Sequence, residues 1–126
     1  MLGIAEPDDI FACIENGVDT FDCVSPARVA RNGALYTKFG RKNVTTLPFK
    51  TNYSAFDDTC DCYTCTNYSA AYLHHLFRAK EMLASTLATI HNERFIVKLV
   101  DDIRTSIESE TFHDFKAQFL ADYYKG

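Results

Sequence analysis

Cys60-Asp61-Cys62-Tyr63-Thr64-Cys65 places three thiols within six residues. This Cys-x-Cys-x-x-Cys spacing lets one loop turn three sulfurs toward a common point. A pair as close as Cys60 and Cys62 strains disulfide geometry. The total of five cysteines, with Cys13 and Cys23 outside the cluster, cannot close into a complete disulfide framework. Metal ligation in a reducing compartment explains the cluster better, so a cytoplasmic location is expected. Zinc takes four soft or borderline ligands in a tetrahedron, and three Cys with one His form a common structural set. His91, on a predicted helix, can supply the fourth corner, although His74, His75 and His113 compete for it. His74 and His75 are adjacent, so at most one of them faces the cluster. Four protein ligands leave no position for water, so the expected role is structural.

Downstream of the thiols the pattern is helical. Tyr72, Leu73, Leu76 and Phe77 recur one turn apart. Met82, Leu83, Leu87 and Ile90 continue an apolar face, and Phe95, Ile96, Leu99, Val100, Ile103 and Ile107 extend it. Thr111 with Asp114 three residues on reads as a capping-box-like start of a last helix, expected to bury Phe112, Phe115, Phe119, Leu120 and Tyr123.

Upstream, Asn32-Gly33 and Phe39-Gly40 flank Ala34-Leu35-Tyr36-Thr37 and read as turns of one or two small antiparallel hairpins. Glu6-Pro7-Asp8-Asp9 reads as a helix start, with proline in the first turn and acids at the positive dipole end. Ile10, Phe11, Ile14 and Val18 give that helix an apolar face, and Asn16-Gly17 ends it. Thr20-Phe21-Asp22-Cys23-Val24 reads as a short buried strand stopped by Ser25-Pro26. Helix, turn and strand make half of an α/β repeat, and a lone parallel strand requires partners.

Composition narrows the function classes. With 126 residues, 47% hydrophobic and 24% charged, the chain is about one ordinary domain and not disordered. No apolar run approaches the ~20 residues of a membrane span. The residues after Met1 do not read as a secretory signal. A complete eight-fold βα barrel, at ~200 residues or more, exceeds the chain. The net charge is −4, yet residues 23–56 hold six basic residues and none of the 17 acids. Such a block can be a phosphate footprint or a solvated basic loop.

Two further features carry chemistry. Asp22 stands at the end of an apolar strand, where α/β folds place site residues, and a carboxylate there can act as a nucleophile. It can equally cap the following loop. Arg28 and Arg31 follow directly, positioned to hold phosphates beside whatever Asp22 attacks. Alone, they also suit an ordinary solvated loop.

Taken in order, the segments Phe21-Asp22-Cys23-Val24-x-Pro26-x-Arg28-x-Ala30-Arg31-Asn32-Gly33, Cys60-Asp61-Cys62-Tyr63-Thr64-Cys65-x-Asn67-Tyr68, Tyr72-Leu73-His74-His75-Leu76 and Thr89-Ile90-His91-Asn92 resemble the C-terminal part of a bacterial-type tRNA-guanine transglycosylase (queuine tRNA-ribosyltransferase). The resemblance covers essentially the whole chain. It implies an α/β fold: the last helix and strand of a (β/α)8 barrel in residues 1–31, then a zinc-binding subdomain of small hairpins and C-terminal helices in residues 32–126. The family's activity is exchange of the anticodon wobble guanine of tRNA for a 7-deazaguanine. By resemblance, Asp22 is the nucleophile that attacks ribose C1′. Cys60, Cys62, Cys65 and His91 hold one structural Zn2+ per chain. Ala27, Arg28, Val29, Ala30 and Arg31 recognise tRNA around the wobble base. Gly3, Ile4, Ala5, Glu6, Pro7, Asp8 and Asp9 form a second RNA-contacting loop, although Glu6 stands where many members carry Lys. A homodimer with the zinc region near its interface is also implied. The family's general-base Asp and base pocket belong to barrel strands not represented here. The fragment alone is therefore expected to be inactive, and the alternative is a noncatalytic zinc-stabilised module for tRNA binding or dimerisation.

Overall fold

The structure is a computed structural model that describes residues 2–4 and 6–125. Among them are helix α1 (Pro7–Glu15), helix α2 (Ser25–Arg31), strands β1 (Ala34–Thr37) and β2 (Gly40–Asn43), a 3-10 turn (Leu47–Thr51), and helices α3 (Tyr63–Asn67), α4 (Ala70–Arg78), α5 (Met82–Glu108) and α6 (Phe112–Lys125). The fold is a helix-rich α and β arrangement with a two-stranded antiparallel sheet.

α5 is the organising element. Its 27 residues span ~40 Å at 1.5 Å per residue, enough to serve two apolar clusters in succession. Its first half packs Ala84, Leu87 and Ala88 against Ala30 of α2, Leu35 and Val44 around the hairpin, and Leu73 and Leu76 of α4. Its second half packs Leu99 and Ile103 against Ile10 and Phe11 of α1, with Phe112, Phe115, Phe119 and Leu120 of α6 partly buried against them. The Phe11 ring sits 5.7–6.0 Å from the three phenylalanine rings of α6. The last helix thus forms where its pattern places it, but Tyr123 is its buried residue and its phenylalanines remain part-exposed.

Among the described residues one hairpin forms, not two. Its register pairs Ala34 with Asn43 and Thr37 with Gly40. Gly33, just before β1, has φ +85°, and a Cβ there would lie 2.8 Å from Thr45 Cγ2. Only glycine meets both the left-handed backbone and the close approach.

Two expectations near the N-terminus are corrected. Residues 20–24 do not form a buried strand: the segment makes a single parallel bridge, Leu2 to Asp22, with Gly3 N–H donating to Asp22 O at 2.6 Å. A parallel ladder needs neighbours on its edges and layers on its faces, and among the described residues one bridge is the whole pairing. The residues after Ser25 are not a loop but helix α2. Proline in its first turn starts this helix, since its fixed φ and missing N–H cost nothing there. α1 forms as expected and ends at Asn16, so Val18 falls beyond its apolar face. No helix among the described residues is long and apolar enough to cross a membrane.

Candidate metal centre and nucleophile segment

The three thiols and His91 come together. Their ligand atoms lie within 4.8 Å of one another. Cys62 caps the start of α3, its Sγ accepting from Cys65 N–H at 3.2 Å, so the helix start fixes two corners of the site at once. Thr64, fully buried between them, donates its hydroxyl to Leu87 O at 2.6 Å and anchors α3 on α5. His91, one turn beyond Leu87 on α5, is fully buried. Its Nδ1 lies 3.6, 3.5 and 3.3 Å from the sulfurs of Cys60, Cys62 and Cys65.

The donor set fits zinc. A tetrahedral ion with Zn–S of ~2.3 Å and Zn–N of ~2.0–2.1 Å requires S···N edges of about 3.6 Å, close to the separations seen. The histidine's orientation is also fixed. Its Nε2 lies 2.7 Å from Tyr36 O, and a carbonyl only accepts, so the ring proton sits on Nε2 and the Nδ1 lone pair faces the sulfurs. Phe56 meets the ring edge-on at 5.7 Å. Without a cation the sulfurs cannot all ionise together. Hydrogen bonds from Cys60 and Cys65, with the backbone N–H groups of Cys65 and Thr64, bring the Cys62 thiol down to about 3 against its burial. Hydrogen bonds with Cys60 and Cys62, and burial, push the Cys65 thiol up. A divalent cation relieves that conflict by deprotonating its thiol ligands outright. Cys60, Cys62, Cys65 and His91 would hold one structural zinc, with no corner left for water.

Of the competing histidines, His74 is buried with Nδ1 3.0 Å from Val44 O, while His75 and His113 are exposed. None of them belongs to the thiol cluster.

Asp22 is exposed and lines a cavity of about 290 Å³ with Ile4, Phe21, Pro26, Glu93 and Val97 among its walls. It lies three residues before the α2 start, where Ser25 N–H donates to Cys23 Sγ at 3.3 Å and Arg28 N–H to Val24 O at 2.9 Å. Arg28 and Arg31 are exposed on α2, Ala27 and Val29 are half-buried, and Ala30 faces the core. Of the expected RNA-contacting residues, Ala30 and Pro7 are therefore turned inward, because helical periodicity commits those positions to packing. Gly3, Asp8 and Asp9 are exposed; Ile4 and Glu6 are half-buried; Ala5 lies outside the described residues. Glu6 lies 4.0 Å from Arg41, and Asp8 accepts from Tyr124 Oη at 2.8 Å.

A model of the queuine tRNA-ribosyltransferase family matches residues 1–125. This chain belongs to that family. A queuine tRNA-ribosyltransferase of Dehalococcoides mccartyi is 53% identical over 123 residues, covering 98% of the chain and 31% of the relative. Those of Caldanaerobacter subterraneus and Helicobacter pylori are 48% and 44% identical over 124 residues, each covering 98% of the chain and 33% of the relative. The chain spans about a third of the length of the relatives it matches.

The sequence reading missed one residue of this family member's centre. Asn92, next to His91, is fully buried and makes three hydrogen bonds, to Pro26, Ala34 and Tyr36. A polar residue inside a helix beside a histidine was the available signal, but only the packing shows what it grips.

Proposed function

We propose that this chain forms the nucleophile-bearing, zinc-stabilised part of a tRNA-guanine transglycosylase. The observation that carries this reading is an exposed Asp22 at the entry to a helix that presents Arg28 and Arg31 to solvent, within a chain of this family. A carboxylate oxygen of Asp22 attacks ribose C1′ of the wobble guanosine. The C1′–N9 bond breaks, and guanine leaves with the bonding electron pair and takes up a proton. A ring nitrogen of the incoming 7-deazaguanine then attacks C1′, loses its proton, and returns the electron pair to Asp22. The passing oxocarbenium character suits an anionic nucleophile, as in retaining glycosidases. Arg28 and Arg31 hold the flanking phosphates, and the exposed part of the Gly3–Asp9 segment contributes a second contact.

Residues 1–31 would then supply the last helix and strand of a (β/α)8 barrel, with the strand formed only when further parallel strands pair beside the Leu2–Asp22 bridge. Residues 32–126 are the zinc-binding subdomain. A homodimer is supported by the exposed Tyr63 and Tyr72 beside the metal centre, which flank the half-buried Tyr68: Tyr63 and Tyr68 pack edge-on at 5.8 Å, and Tyr68 stacks on Tyr72 at 5.4 Å. Thiolate ligation and the lack of any disulfide among the five cysteines fit the reducing cytoplasm.

A denaturing gel with labelled tRNA tests the reading. The full-length enzyme should give a shifted covalent band that Asp22→Asn abolishes, and a band that survives in Asp22→Asn would remove Asp22 from the reaction. Replacing Arg28 and Arg31 together by Ala should lower the log–log salt slope of tRNA binding by about 1.4–1.8, at ~0.7–0.9 per phosphate contact.

The openness of the Asp22 cavity favours a second reading for the chain on its own: a noncatalytic zinc-stabilised tRNA-binding or dimerising module. Positioning supplies much of an enzyme's rate, and the partners that would close this cavity lie outside these residues.

A further inference from the structure

The metal centre and the arginine helix share one peptide. His91 and Asn92 are consecutive on α5, and they hold opposite ends of Tyr36. His91 Nε2–H donates to Tyr36 O at 2.7 Å, and Tyr36 N–H donates to Asn92 Oδ1 at 3.0 Å. The same Asn92 donates from Nδ2 to Pro26 O and to Ala34 O, both at 3.0 Å. Its orientation is settled by its partners: two carbonyls require the NH2 group, and an N–H requires the oxygen. Asn92 thus ties the start of α2, at Pro26, to strand β1, at Ala34 and Tyr36.

α2 needs such a grip. It has seven residues and no side-chain hydrogen bond at its Val24 cap. A helix of two turns is not stable by itself, since the cost of its first turn is spread over too few bonds. Ala30 packs into the core, but apolar contact alone resists sliding and rotation weakly, whereas a saturated buried amide admits one arrangement. Leaving its partners unpaired would cost their full desolvation.

We propose that Asn92 is a positioning residue that transmits the order of the metal centre to α2, and so sets the pose of Arg28, Arg31 and the Asp22 segment just before them. This rests on the catalytic reading above for its functional consequence, but not for its structural test. The metal fixes His91, His91 and Asn92 fix the Tyr36 peptide, and Asn92 carries that order to Pro26.

The test is amide hydrogen exchange on the zinc-loaded full-length enzyme. In Asn92→Ala, zinc should stay near one per chain and α6 amides should keep their protection, while the amides of residues 28–32 exchange at least tenfold faster. The kcat/KM for tRNA should fall on the order of 100-fold, the scale of a ~1 Å misplacement. Ile103→Ala, a cavity at the far end of α5, is the control for general loosening. Equal loosening of residues 28–32 by Ile103→Ala would overturn the proposal, as would loss of zinc from Asn92→Ala, which would make Asn92 a support of the metal instead. Wild-type protein gives a reading that needs no variant: chelation should loosen residues 28–32, and unchanged protection there would also overturn it. If wild-type enzyme forms no covalent RNA adduct, the catalytic reading fails while the exchange pattern still decides the role of Asn92.

Discussion

The thiol loop and the Asp22 segment carry the two pieces of chemistry proposed for this chain, and they are finished to different degrees. Around the metal centre every corner comes from these residues, the ligands are largely buried, and the histidine is oriented by a backbone carbonyl. Around Asp22 the backbone makes one bridge and the side chain faces an open cavity. The difference follows from where the partners come from. A zinc site assembled from one loop and one helix closes by local wrapping. In the proposed reading the Asp22 segment is a strand end that parallel neighbours would complete, and the chain spans about a third of the length of the relatives it matches.

Removing one metal ligand should break the finished half outright. Cys62→Ala deletes both a ligand and the cap of α3, and metal binding in such sites is part of the folding free energy. Elemental analysis should show zinc falling from one per chain to near none, with loss of helical signal in circular dichroism. Zinc retained at one per chain would remove the four-ligand assignment. Acid should act in the same direction, because protons compete for the thiolates and affinity falls as pH falls.

The unfinished half can be probed by what it fails to do. The 126-residue chain should hold zinc yet give no denaturation-resistant band with labelled tRNA, with or without a deazaguanine. A band that depends on Asp22 would show that these residues suffice for chemistry and would erase the contrast.

A smaller effect separates the two apolar clusters. Phe11→Ala removes the ring at the centre of the α1–α6 contact and should cost about 3–5 kcal/mol of stability by chemical denaturation. Zinc content should not change, because Phe11 packs with the second half of α5 and not with His91. Loss of zinc in this variant would show that the clusters are one cooperative unit.

The smallest effect concerns the surface. Lys116 Nζ lies 2.7 Å from Glu15 Oε1 and ties α6 to α1. Both side chains are part-exposed, so Lys116→Ala should cost only about 0.2–1 kcal/mol. A thermal midpoint moved as far as by Phe11→Ala would mean that the ion pair, and not the phenylalanine cluster, docks the last helix.

Much of this was legible in the residue order. The thiol spacing announced a metal loop, and period-3.6 apolar runs announced α4, α5 and α6. Pro7 with Asp8 and Asp9 announced the start of α1. Ser25-Pro26 was ambiguous, because proline that ends a strand also suits the first turn of a helix, and α2 is what formed. Residues 20–24 have the composition of a strand, but a strand exists only when something pairs with it.

The sequence by itself determined which side chains can hold a metal, which stretches are helical, and where an acid precedes two arginines, because these depend on residue type and on spacings of a few positions. The choice of His91 over His74 as the fourth ligand was carried at the sequence level by family resemblance alone. Only the tertiary structure decided it physically, through the lone pair that Tyr36 O leaves free on Nδ1. It also decided that Ala30 faces the core while Arg28 and Arg31 face solvent, and that Asn92 joins the metal loop to α2. Those outcomes depend on residues 26 to 66 positions apart meeting around one helix, and separations of that size leave no periodic trace in the chain.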